Sequence, residues 1–97
     1  MAQAARNTEV RYIVSEPLEI ENGVFLPAGH YAGMMEERGL ETLSQGVVWS
    51  SPQYRIELSA RELAGMGREN TGGLHSISYD LARFVTLGRI EVTSAAA

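Results

Sequence analysis

The stretch Leu18-Glu19-Ile20-Glu21-Asn22-Gly23-Val24-Phe25-Leu26 reads as a β-hairpin. Asn22 and Gly23 supply the positive φ angles that a tight two-residue turn demands, and alternating apolar and polar residues flank them. A two-residue turn places Glu21 opposite Val24, Ile20 opposite Phe25 and Glu19 opposite Leu26. Leu18, Ile20, Phe25 and Pro27 then share one face, the predicted core. The other face carries Glu19, Glu21, Val24 and Leu26, too apolar to be only solvated and too charged to be deeply buried. It is the first candidate contact surface.

Outward from this hairpin the chain continues to read as β-rich. Val10–Val14 has apolar residues on both faces, as in a strand covered on both sides. Pro17 lacks a ladder donor and implies an edge or a bend. Leu26–Gly29 fits a type I turn leading into a strand over His30–Glu37. Within that strand Gly33 implies a bulge or a close backbone approach. Arg38 and Gly39 read as a connection to Leu40–Leu43, and Ser44–Gly46 as a turn ahead of Val47, Val48 and Trp49.

After a turn at Ser50, Ser51 and Pro52, the run Tyr54, Ile56, Leu58 alternates with Gln53, Arg55, Glu57, a half-buried strand whose apolar side joins the core. Ser59 followed by Glu62 is a capping box, predicting a two-turn helix that Gly65 or Gly67 stops. Gly67–Gly73 is a polar loop. Ile77, Leu81, Phe84 and Val85 then follow helical spacing with Gly88 just past the end, against a competing strand reading of Ile77, Tyr79 and Leu81. Arg89–Thr93 returns as a final strand.

The expected fold class is therefore α+β, mainly β: a small antiparallel sheet or open barrel of about five or six strands with one or two short helices toward the C-terminus. The 97 residues suit a single domain, with an ordered body over about 9–93 and frayed ends. No internal repeat or interdomain linker is evident.

Composition excludes more chemistry than it suggests. The chain has no cysteine, so disulfides, thiolate nucleophiles and Cys-based metal sites are ruled out. It has no lysine, which removes Schiff-base chemistry and a phosphate-loop lysine. Residues 1–51 hold three arginines against seven glutamates, whereas 52–97 balance five arginines with five acids. An acidic first half disfavours polyphosphates and anionic membranes, whose binding requires cations. No apolar run reaches the roughly 20 residues of a membrane-spanning helix, and Met1–Arg6 contains no apolar signal core, so a cytoplasmic location is expected.

Candidate chemistry is sparse. His30 and His75 lack ligand-spaced partners, so no metal site is expected. Serines at 50, 51, 76 and 78 together with Asp80 supply triad ingredients but no nucleophile elbow. Glu36 and Glu37 point to opposite faces of a strand, and Glu19 with Glu21 offers too few oxygens for calcium. The glycine-rich loop around Arg68 matches neither phosphate-binding fingerprint, and no cofactor is implied.

Three functional readings follow. The first is a non-enzymatic interaction or assembly module that meets a protein partner or a second copy through Glu19, Glu21, Val24, Leu26 and Met34, or through an open strand edge. Methionines at 34 and 35, on opposite faces of one strand, are adaptable contact residues and favour it. The second is a small-molecule-binding domain or modest enzyme with a pocket between sheet and helices, lined by His30, Trp49, Tyr54 and Tyr79. The third is a small barrel that stacks single-stranded nucleic acid on Trp49, Tyr54, Tyr31 and Tyr12 beside Arg55.

Overall fold

A computed structural model describes residues 3–95. Its elements run β1 (Gln3–Val14), β2 (Leu18–Glu21), β3 (Val24–Leu26), β4 (Gly29–Thr42), β5 (Gly46–Trp49), β6 (Gln53–Ser59), α1 (Ala60–Gly65), β7 (Ser76–Asp80), α2 (Ala82–Thr86) and β8 (Ile90–Ser94). The molecule is a small, mostly β, α+β domain. Its main sheet is antiparallel in the order β7-β6-β4-β1-β8, with β5 also pairing β4, and β2-β3 forms a separate two-stranded sheet.

Strand parity sorts the main sheet into two faces. Val10, Tyr12 and Val14 of β1, Ile56 and Leu58 of β6, and Ile90 of β8 are buried on one of them. Leu18, Val24 and Leu26 of the hairpin cover that face, together with Leu63 of α1 and with Leu81, which precedes α2. The fold is thus two layers around one core, the second layer being the hairpin and the two short helices.

Gly33 makes the tightest joint. A Cβ there would lie 2.2 Å from a Tyr12 ring carbon and 2.5 Å from the Arg55 carbonyl oxygen. The Tyr12 ring lies across this bare backbone and donates its hydroxyl to that carbonyl at 2.9 Å, tying β1 to β6 over β4. Burial pushes the Tyr12 hydroxyl well above its ordinary pKa, so it stays a donor. The register of β1 with β4 is unbroken, so Gly33 marks a close approach and not a bulge.

The capping box at Ser59 and Glu62 forms as expected, with reciprocal bonds of 3.1 and 3.0 Å launching α1. Gly67 follows it at φ +107°. Tyr54, Ile56 and Leu58 all turn toward the core, and β8 covers the expected final strand.

Several expectations are corrected. In the hairpin, Glu21 does face Val24, but a bulge between Glu19 and Glu21 slips the register, so that Glu19 faces Phe25 and Leu18 faces Leu26. Val24 and Leu26 are consequently buried, whereas Phe25 and Pro27 are exposed. The physical cause is at the turn: only Gly23 takes positive φ, so the mirror-image turn that would hold the simple register does not form, and the Glu19 carboxylate accepts the Gly23 N–H instead. No break occurs at Arg38 and Gly39, since β4 runs straight through them. Residues 76–80 form a strand paired with β6, and only 82–86 are helical, so the single helix over 77–87 is overturned. The Asp80 carboxylate makes the switch, accepting from the N–H groups of Tyr54 and Ala82. The N-terminal segment from Gln3 to Thr8 and, at the other end, Ser94, all expected to fray, are strand; the expectation for Met1, Ala2, Ala96 and Ala97 lies outside the described residues.

Candidate functional site

Beyond Val10 the strands β1 and β4 leave the core and continue as a ribbon with β5. Gln3–Thr8 pairs with Met35–Leu40, and Gly39–Thr42 pairs with Gly46–Trp49. The molecule accordingly measures 49 × 30 × 26 Å with a radius of gyration of 15.5 Å. A compact chain of this length has about 12.5 Å.

The two ribbon faces differ. On the face continuous with the core, Trp49 lies over Gly39, where a Cβ would meet its ring at 3.1 Å. Arg6 stacks on the Trp49 ring at 3.8 Å and grips Glu37 with two bonds of 2.9 and 3.1 Å. These bonds hold the Glu37 carboxyl below its ordinary pKa. The other face carries Ala5, Asn7, Glu36, Arg38, Leu40 and Val48 around an open concavity of about 780 Å³. Leu40, Leu43, Val47 and Val48 are each at least 40 % exposed, so one hairpin presents four large apolar side chains to solvent.

A second concavity, about 950 Å³, continues along the same outer face onto the body, where Met34, Arg11, Arg55 and Glu57 line it. Met34 lies half-buried on this side, opposite Arg55. The rest of that predicted surface disperses. Val24 and Leu26 are core; Glu19 serves the turn; Glu21 faces inward beside Val24.

Half-buried there, Glu21 is compensated on two sides. Tyr79 donates to it at 2.6 Å and Arg68 at 2.5 and 2.7 Å, while Arg68 also reaches the Tyr79 hydroxyl at 3.0 Å. The Tyr79 hydrogen bond, helped by Arg68, keeps the Glu21 carboxyl below its ordinary pKa against the opposing effect of desolvation. Burial, followed by the Glu21 carboxylate, pushes the Tyr79 hydroxyl up. This cluster clamps the hairpin and the 67–73 loop to β7. Sequence reasoning saw the three residues separately, because only the fold brings positions 21, 68 and 79 together.

The four residues of the proposed pocket do not converge. His30 lies on the outer face, Trp49 on the ribbon under Arg6, and Tyr54 and Tyr79 on the core face. The aromatic platform also dissolves: Tyr12 and Tyr54 pack edge to face at 6.4 Å, and the Tyr31 hydroxyl donates to the Pro27 carbonyl. Among the described residues no cluster of three or more histidines and carboxylates is placed to hold a metal, and no helix is long and apolar enough to cross a membrane. Compared with protein-family models, curated proteins and solved structures, the chain matches none.

Proposed function

We infer that this protein is a non-enzymatic interaction or assembly module whose contact element is the projecting ribbon. The observation that carries this reading is the exposure of Leu40 and Val48 on the outer face of the ribbon, of Leu43 in its turn and of Val47 on the opposite face, on a hairpin that no layer covers among the described residues. Large apolar side chains scattered singly need no explanation, but a cluster at the end of an arm marks a surface that another molecule covers. Open strand edges on the ribbon add backbone groups to the same surface.

A benzophenone side chain introduced at Leu43, with the exposed Leu87 on the body as control, tests this in cells producing the protein. Adducts should concentrate at position 43 and disappear in the Leu40→Thr, Val48→Thr variant while its unfolding midpoint stays unchanged. Equal adducts at both positions, or adducts indifferent to the double substitution, overturn the reading.

A further inference from the structure

The outer face of the ribbon, turned away from the core, has no layer over it among the described residues. Along β4 it carries Met34, Glu36, Arg38 and Leu40 in that order. Glu37 is joined to Arg6 and Trp49 on the opposite face, which fixes the parity. The order is apolar, acidic, basic, apolar. Read backwards from Leu40 it is the same order with the charges exchanged, so the row is complementary to its own reverse about position 37.

The neighbouring strands keep that relation. On β1, Asn7 flanks Glu36 and Ala5 flanks Arg38, and both are uncharged. On the other side of β4, Arg55 lies opposite Met34 and reaches Glu36 at 3.5 Å, while Val48 lies opposite Leu40. Arg38 is exposed and makes no ion pair among the described residues. The face thus offers an unused cation beside an acid, with an apolar side chain beyond each of them.

Resting on the reading of the ribbon as a contact element, we propose that the occupant of this face is a second copy of the chain, laid face to face across a two-fold axis that lies between the two sheets, crosses β4 at right angles and passes the level of Glu37. That axis reverses strand direction, so Glu36 of each copy meets Arg38 of the other, Met34 meets Leu40, and the stem of Arg55 covers Val48. Sheets stacked in this way cross at about 30°, and even Met34 and Leu40, about 10 Å from the axis, stay within side-chain reach of each other. The other face-to-face axis, running along the strands, sets Arg38 on Arg38 and Glu36 on Glu36, and like charges so placed repel. A foreign partner would have to reproduce an order of charges and apolar groups that the chain already carries.

Sedimentation equilibrium on the whole chain tests this. The wild-type protein should dimerise reversibly below millimolar concentration. Arg38→Glu sets acid on acid and Glu36→Arg sets base on base, so each should weaken the dimer about tenfold or more. The double exchange Glu36→Arg, Arg38→Glu should recover it, because each altered side chain again meets its opposite. Circular dichroism and Trp49 fluorescence at low concentration should be the same in all these chains, so that a lost dimer is not a lost fold. Native mass spectrometry of wild type mixed with the isotope-labelled double exchange should show each pairing with its own kind, since a mixed pair sets acid on acid and base on base. A wild-type chain that stays monomeric at millimolar concentration, a dimer indifferent to both single substitutions, or one that the double exchange does not recover overturns the proposal. Free mixing also overturns it, by giving the pair to the axis along the strands. If the chain stays monomeric while adducts from position 43 persist in cells, only the self-pairing falls and the ribbon reading stands.

Discussion

Strands β1 and β4 run through both ends of this molecule, and the two ends solve the same problem differently. In the body, Val10, Tyr12 and Val14 lie beneath the hairpin and helices, and Gly33 lets the Tyr12 ring reach a carbonyl two strands away. In the ribbon the same sheet face has no layer above it among the described residues, and a single stack of Glu37, Arg6 and Trp49 closes it over another bare glycine, Gly39. Hydrogen-bonded register is continuous across the junction. Pairing alone therefore does not produce a core; a second layer must bury the apolar parity, and where it stops, the strands continue as an arm held by local contacts.

Substitutions in the second layer should have the largest effect. Leu26→Ala removes a fully buried side chain and should cost about 3–4 kcal/mol in urea unfolding, whereas Phe25→Ala, next to it and half exposed, should cost less than about 1 kcal/mol. A reversed order would restore the simple hairpin register and undo the assignment of the core. The two glycines give the next contrast. Gly33→Ala drives a methyl into the Tyr12 ring and a backbone carbonyl and should lose about 3 kcal/mol of global stability. Gly39→Ala meets the movable side chains of Val47 and Trp49 and should cost about 1 kcal/mol or less, read as a shift in the fluorescence of Trp49, the chain's one tryptophan.

Smaller still, Ser59→Ala deletes the cap of α1 and should lower body stability by about 1 kcal/mol without altering Trp49 emission. The last prediction separates the regions by pH. Glu37 in the ribbon and Glu21 in the body both have folded pKa values below the ordinary 4.5. A carboxylate with a depressed folded pKa contributes stability that is present above the unfolded value and lost as pH falls through the folded one. Acid titration should therefore loosen the ribbon in a Trp49 fluorescence step that Glu37→Gln removes and Glu21→Gln leaves in place. A single transition, untouched by Glu37→Gln, would merge the two regions into one cooperative unit.

How much of this was legible depended on the range of the interaction. The capping box, the alternation of Tyr54, Ile56 and Leu58 and the turn before Val47 are all signals within a few residues, and each corresponds to what the fold contains, while Gly33 signalled a bulge or a close approach and the fold contains the second. The hairpin misled because one bulged residue reverses parity, so Val24 and Leu26 read as surface when they are core. Residues 77–87 misled because a strand and a short helix in succession, joined at Asp80 and Leu81, superimpose two periodicities on one segment. The ribbon was invisible: Arg38 and Gly39 carry turn composition, and their place in a long strand is decided by β1 on one side and β5 on the other.

The sequence by itself determined the class, a small β-rich domain with two short helices and no cysteine or lysine chemistry, because residue type and local spacing fix turns, caps and pleat alternation. Only the tertiary structure decided which face of each strand is covered and that positions 21, 68 and 79 form a clamp. It also decided that β1 and β4 outrun their covering layer to expose an arm. Burial is a property of which elements meet, and strands distant in sequence meet through long-range pairing that no local pattern encodes.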